Sequence, residues 1–149
     1  MTKRNGPDYK PKVSPNGKLV AYIGYKDKVQ TYQNEMINIM SLDGEIISTL
    51  SSNIDSSINE FYWDSKSNGL YISYDVRGDT KISYLSLQKK NNKIADQLGG
   101  TSVGRPYGGG SFSVSLNGSL AYTYTTSDHP AEIRVVTSDG IKKITKLSN

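Results

Sequence analysis

Val13-Ser14-Pro15-Asn16-Gly17-Lys18-Leu19-Val20-Ala21-Tyr22 (VSPNGKLVAY) puts a Pro, an Asn and a Gly on one corner and follows it with an apolar run closing on Ala-Tyr. Asn-Gly tolerates positive φ at both central positions, which a two-residue hairpin between twisted strands requires. The corner returns. "SKSNGLYISY" (65–74) ends on Ser73-Tyr74, and "SLNGSLAY" (115–122) ends on Ala121-Tyr122. Asn16-Gly17, Asn68-Gly69 and Asn117-Gly118 thus recur at intervals of roughly 50 residues, a period expected of stacked repeats.

The remainder of each copy aligns as well. A polar loop leads to a third strand in "MINIMSLDG" (36–44), "KISYLSLQ" (81–88) and "EIRVVTSDG" (132–140). In the first and third copies it ends on a further hairpin corner, Asp43-Gly44 or Asp139-Gly140. A short fourth strand comes next in "EIISTL" (45–50), "KIADQL" (93–98) and "KKITKL" (142–147). Four antiparallel strands per unit at this period predict an all-β chain of three four-stranded propeller blades, a partial β-propeller whose ring is not closed. The blades are expected at about 11–55, 58–98 and 110–147 of one domain over 1–149. Val20, Ile37, Ile39, Ile72, Leu85, Leu120 and Val135 read as blade core, and Tyr22, Tyr74 and Tyr122 as packing positions of the repeat.

The composition agrees with this reading. The chain has 149 residues, of which 35% are hydrophobic and 21% charged, with 14 Gly, 5 Pro and 11 Tyr, a mixture that favours short strands and tight turns. No apolar run approaches the ~18–20 residues of a membrane helix, and the basic start "MTKRNGPDYKPK" has no apolar stretch behind it, so neither a membrane partner nor a signal peptide is expected. The compartment stays open. Without cysteine there are no disulfides, thiol nucleophiles or thiolate metal sites. The net charge of +4 is scattered; the one cluster, "QKKNNK" (88–93), reads as a hairpin with Asn91-Asn92 at its tip, so no nucleic-acid partner is expected.

Ser14-Pro15-Asn16-Gly17-Lys18-Leu19-Val20-Ala21-Tyr22 is similar to the Ser-Pro-Asp-Gly-Lys-x-Ile-Ala-Phe blade motif of TolB-type propellers and of prolyl-oligopeptidase-family propellers. "SDHPAEIRVVTSDGIKKITKLSN" (127–149) resembles the last propeller blade of acylaminoacyl-peptidase-like enzymes, and "GRPYGGGSFSVSLNGSLAY" (104–122) fits the same branch. The second copy departs, with "WDSKSNG" (63–69) where the Ser-Pro motif is expected. The resemblance implies a serine peptidase parent with an α/β-hydrolase domain beyond Asn149. On that reading the propeller gates oligopeptide access, and its partners are the hydrolase domain and the oligopeptide substrate. The alternative is a non-enzymatic TolB-like propeller acting as a protein-binding adaptor. The residues that the source gene encodes after Asn149 distinguish the two.

No catalytic residue, metal site or cofactor is expected in the chain itself. A hydrolase nucleophile sits in G-x-S-x-G on a strand-to-helix elbow. Ser111, in "GGGSFSV", lacks the second Gly and precedes a strand. His129, the single histidine, falls in the turn-rich "SDHPAE". Asp43, Asp75, Asp79, Asp128 and Asp139 sit at hairpin ends, without the dense spacing of a calcium loop. Arg105 and Tyr107, in "GRPYGGG", are the candidates for substrate contact: a guanidinium pairs bidentately with a peptide carboxylate, and neighbouring glycines allow close backbone approach. An unclosed ring leaves apolar faces on its first and last blades, so self-association is expected.

Overall fold

The structure is a computed structural model, and it describes residues 4–100 and 109–143. Twelve strands form three antiparallel four-stranded sheets, each a meander in chain order. The first blade holds β1 (Asp8–Val13), β2 (Leu19–Gly24), β3 (Met36–Ser41) and β4 (Ile46–Thr49). The second holds β5 (Ile58–Trp63), β6 (Gly69–Val76), β7 (Asp79–Ser86) and β8 (Asn91–Ala95). The third holds β9 (Phe112–Val114), β10 (Leu120–Thr126), β11 (His129–Thr137) and β12 (Gly140–Lys143). No helix occurs among the described residues, and the three blades do not close into a ring.

Side-chain alternation decides what each blade buries. Ala21 and Ile23 of β2 pair across the ladder with Ile39 and Ile37 of β3, so all four share one face. That face meets Phe61, Leu70, Ile72 and Tyr74 of the second blade in one core. The second blade's opposite face carries Tyr62, Tyr71 and Ile82 into another, against Phe112, Leu120 and Tyr122 of the third. Burial of such large side chains stabilises by roughly 1.5–3 kcal/mol each. Ile37, Ile39, Ile72, Leu85 and Leu120 are buried as expected, and so are all three repeat tyrosines. Val20 and Val135 are only half-buried. Each pairs with residues on the face its blade turns away from the others, Met40 for Val20 and Ala121 for Val135.

The Asn-Gly corners join consecutive strands, but they are not two-residue hairpins. At Ser14–Lys18 only Gly17 has positive φ (69°). Asn16 works through its side chain: Oδ1 accepts from Ser14 Oγ (2.7 Å) and from Lys18 N–H (3.1 Å), while Gly17 N–H donates to Ser14 O (2.8 Å). The third copy repeats this with Ser115, Asn117, Gly118 and Ser119. An Asx side chain that satisfies backbone donors widens the turn and still reverses the chain. The two-residue turn with both φ positive lies instead at Arg77-Gly78 (54° and 87°), between Val76 and Asp79.

The second copy solves its corner differently. Asp64 stands where the other copies have Ser, and its Oδ1 accepts from Asn68 N–H (2.8 Å) while Oδ2 accepts from the Tyr84 hydroxyl (2.6 Å). Burial, then the Asp64 carboxylate, raise the pKa of Tyr84, which keeps it a donor. The left-handed residue is Ser67 (φ 59°), one position earlier than the Asn-Gly reading places it, and Gly69 begins β6. Gly69 is needed for space: a Cβ there would lie 2.6 Å from Leu85 O and 2.6 Å from Tyr84 Oη. Ser67 Oγ also accepts from Asn16 N–H (3.0 Å), which ties the corners of two blades together. At "QKKNNK" the left-handed residue is Lys89 (φ 64°), and Asn91-Asn92 lie in β8 rather than at the tip. The side chain of Asn91 is drawn into the sheet, where it donates to Tyr74 Oη (3.2 Å).

Gly69→Ala is therefore expected to destabilise the fold by roughly 1–3 kcal/mol, because a methyl group is forced into a closed space against backbone. A lowered urea midpoint with an unchanged m-value checks this; an unchanged midpoint would show that Tyr84 and β7 yield freely.

Candidate functional site

In an antiparallel meander the first and third turns fall at one end of the sheet, and the second turn and the linker to the next blade fall at the other. The Asn-Gly and Asp-Gly corners occupy the first end. The second, the linker end, carries the middle connection of each blade and the inter-blade linkers. Two of these connections are minimal, Arg77-Gly78 and Ser127-Asp128. The first blade instead has the long loop 25–35. Its interior is held by side chains: Asp27 Oδ1 accepts from Val29 N–H (2.7 Å) and from Gln33 Nε2 (3.2 Å), and Gln33 Oε1 accepts from Lys28 N–H (2.8 Å). Asp27 N–H donates to Asn5 O (2.8 Å), which anchors the loop to the N-terminal segment. At the loop's tip Val29 is 92% exposed and Tyr32 72%. Val29 has φ 57°, a left-handed conformation that a β-branched residue adopts only under constraint.

Two clefts open at this end. One lies between the second and third blades and is lined by Glu60, Tyr62, Asp75, Asp79, Gln97 and Phe112, among others. Two of its carboxylates, Asp75 and Glu60, are engaged. Asp75 Oδ1 accepts from Thr80 Oγ1 (2.5 Å). Glu60 receives Lys12 Nζ at 2.8 Å, Lys10 Nζ at 3.4 Å and its neighbour Phe61 N–H at 2.9 Å. Lys10 and Lys12 come from β1 of the first blade, and Trp63 Nε1 donates to Lys12 O (2.8 Å), so this cluster locks β1 against β5. Among the described residues no group of three or more His, Asp or Glu is placed to hold a metal ion. The other cleft, of about 610 Å³, lies on the outward face of the first blade beneath loop 25–35, with Arg4, Tyr22, Lys26, Lys28 and Tyr32 in its lining.

Arg105 and Tyr107 lie outside the described residues. Ser111 precedes β9 and is held by sheet pairing: its N–H donates to Thr123 Oγ1 (2.9 Å) and its carbonyl accepts from Thr123 N–H (3.0 Å), so no strained elbow lifts its hydroxyl. The preceding Gly110 packs where a Cβ would meet Gly99 N and Thr123 Oγ1 at 2.6 Å, a close crossing of linker strands. His129 opens β11. Glu132, the acid of the Pro-x-Glu-Ile strand, is 4% exposed and accepts from Arg134 Nε (2.9 Å), whose guanidinium lies 3.2 Å over the Tyr124 ring. That acid is built into the interface between blades. Sequence reasoning missed loop 25–35. The spacing from Tyr22 to "MINIM", longer than the corresponding spacings in the other two copies, was the signal available for it.

No known family model matches the sequence, and neither does any curated protein. Among solved structures the chain is similar to TolB from Acinetobacter baumannii, with a TM-score of 0.60 and 14% identity, over 95% of this chain and 33% of that one. The chain thus spans about a third of this neighbour's length. The likeness is one of fold: the blades are those of a TolB-type propeller.

Glu60 carries a pH dependence. Burial pushes its pKa up, but the Lys12 hydrogen bond, the Phe61 N–H and the charges of Lys12 and Lys10 outweigh it and hold the carboxyl below its ordinary value of 4.5. A folded pKa below the unfolded one means that ionised Glu60 stabilises the fold above that value and loses the contribution as pH falls through the folded pKa. Glu60→Gln is expected to lower the urea midpoint at about pH 7 and to converge with wild type as pH falls through the folded pKa, which lies below 4.5. A gap that stays constant as the carboxyl is titrated would show that the ion cluster between β1 and β5 is not what separates the two proteins.

Proposed function

We propose that this chain is a non-catalytic, TolB-like propeller segment that binds a polypeptide partner through the linker end of its blades. One observation carries the reading: loop 25–35 replaces a two-residue turn and presents Val29 and Tyr32 to solvent on a backbone fixed by Asp27 and Gln33. Exposed apolar and aromatic side chains on an ordered loop are inexpensive to dock, because little freedom remains to be lost on binding. A strained left-handed valine at such a tip is consistent with a conformation kept for contact. The fold likeness favours an adaptor without chemistry of its own.

The peptidase-gating reading draws no such support. It rests on the resemblance of residues 104–122 and 127–149 to a last propeller blade of acylaminoacyl-peptidase-like enzymes, and its candidates for substrate contact, Arg105 and Tyr107, are not among the described residues. Self-association through the open faces of the first and third blades belongs to the present proposal. It has less surface to draw on at the first blade, where Tyr22 and Asn38 are already buried.

The test is affinity capture from a lysate of the source organism, with wild type, Tyr32→Ala and Val29→Asp as bait and a thermal melt to show that each variant is folded. A discrete protein retained by wild type and reduced roughly tenfold or more by both variants is expected, the size of effect that truncating an interface anchor produces. Equal recovery with all three baits would overturn the assignment to this loop. The same preparation is expected not to hydrolyse peptidyl or acyl-aminoacyl chromogenic substrates. Turnover that disappears in Ser111→Ala would replace the adaptor reading with an enzymatic one.

A further inference from the structure

Tyr22, Tyr74 and Tyr122 occupy the same place in the three repeats and project toward the preceding side of their blades. Tyr74 enters the core shared with the first blade and Tyr122 the core shared with the second. Both hydroxyls are partnered there: Tyr74 Oη lies 3.2 Å from Ser83 Oγ and accepts from Asn91 Nδ2, and Tyr122 is hydrogen-bonded to Arg134. Tyr22 points the other way from Ala21 and Ile23, onto the outward face of the first blade. It is 3% exposed, yet its hydroxyl has no hydrogen-bond partner. The Nε of Arg4, whose guanidinium lies 5.9 Å from the Tyr22 ring centroid, is likewise buried without one. A buried polar group left unpaired costs roughly 1–3 kcal/mol, so two of them on side chains that wall one cavity, just beneath its surface, favour a ligand that reaches them.

The surroundings specify its charge. Arg4 is paired with Asp8 through its terminal nitrogen, which holds the guanidinium in place. Gly24 makes room for the pair: a Cβ there would collide with Asp8 Oδ1 and lie 2.5 Å from Arg4 Nη2. The amide of Asn38 is committed to Gly24 O and Met36 O, and its Oδ1 accepts from Thr49, so it is not the missing partner. Lys26 and Lys28 lie on the cavity wall with one acid, Asp55, which already accepts from Asn34 Nδ2. Burial, with Asp8 adding to it and Arg4 opposing it, raises the pKa of Tyr22, so the hydroxyl stays a donor. Both orphan atoms are therefore donors, in a cavity lined by three cations and one acid.

We propose that this cavity receives a carboxylate of a polypeptide, a chain end or an Asp or Glu side chain, which accepts hydrogen bonds from the Tyr22 hydroxyl and from Arg4 Nε–H in the field of Lys26 and Lys28. A carboxylate offers two acceptor oxygens to two donors, and charge-assisted bonds of this kind are about twice as strong as neutral ones. That the bearer is a polypeptide rests on the partner-binding reading above; the two donors do not. The lysines steer the group inward, and Tyr22 and Arg4 seat it.

Three capped tripeptides separate the possibilities: acetyl-Ala-Ala-Ala with a free C-terminal carboxylate, acetyl-Ala-Glu-Ala-amide and acetyl-Ala-Ala-Ala-amide. Each is titrated to about 20 mM, a range that reaches millimolar affinities, while the Arg4 Nε–H and Gly24 amide resonances of the 149-residue chain are followed by NMR. A saturable shift with one or both carboxylate peptides and none with the neutral amide is expected, and which of the two binds identifies a chain end or a side chain. Tyr22→Phe is expected to weaken binding about fivefold or more without lowering the melting temperature of the free protein, because it removes a hydroxyl that has no internal partner. Arg4→Gln is expected to abolish the Gly24 shift. The proposal falls if the neutral amide binds equally, if inorganic phosphate binds more tightly than either carboxylate, if no peptide shifts either resonance, or if Tyr22→Phe keeps its affinity or melts earlier. Peptide binding without any lysate partner would retain the pocket and discard the partner-binding reading; a lysate partner without peptide binding would do the reverse.

Discussion

Face-to-face burial of twisted sheets is the constraint on which the rest of this structure depends. The second blade is apolar on both sides, with Phe61, Leu70 and Ile72 on one and Tyr62, Tyr71 and Ile82 on the other. Such a sheet cannot be stable with either face in water, so a neighbour on each side is a condition of its folding. The first and third blades supply those neighbours and are themselves left with one face each outside the shared cores. Val20, Val135 and Tyr22 all take their character from lying on those outer faces.

The two ends of the blades are built on different principles. At the corner end, side chains satisfy backbone donors by short-range bonds: Asn16 and Asn117 in the same way, Asp64 through its carboxylate. When the second copy loses its Ser-Pro sequence, Asp64 and Tyr84 rebuild the corner and move its left-handed residue to Ser67. The geometry is held while the residues change, which is what a structural joint requires. At the linker end the connections differ in length and content from blade to blade, and the unpaired donors and exposed loop tip collect there. Propeller segments of this kind keep their sheets and vary their loops, because loop residues do not have to satisfy the packing of the core.

Electrostatics divides along the same line. The cluster of Lys10, Lys12 and Glu60 joins β1 to β5, and Arg134 pairs with Glu132 over Tyr124. Arg4 is different. Its tie to Asp8 uses a terminal nitrogen and leaves the buried Nε without a partner, so this cation is positioned without being fully satisfied.

The sequence by itself determined the three-blade, all-β architecture, the order of the strands and most of the core, because alternation and left-handed turn residues are local demands written into a few adjacent positions. Two local readings are incomplete. Asn-Gly reads as a two-residue hairpin, whereas Asn16 and Asn117 act through their side chains, and Asn91-Asn92 reads as a tip, whereas Tyr74 draws Asn91 into β8. The candidate site is hardly legible in the sequence. That Tyr22 has no partner while Tyr74 and Tyr122 do, that Arg4 folds back over it, and that Gly24 makes room for the Arg4–Asp8 pair are facts about which blade face has a neighbour. Only the tertiary structure decides them, because a hydroxyl's satisfaction depends on what packing brings within about 3 Å of it, and that is set by contacts between residues distant in the chain.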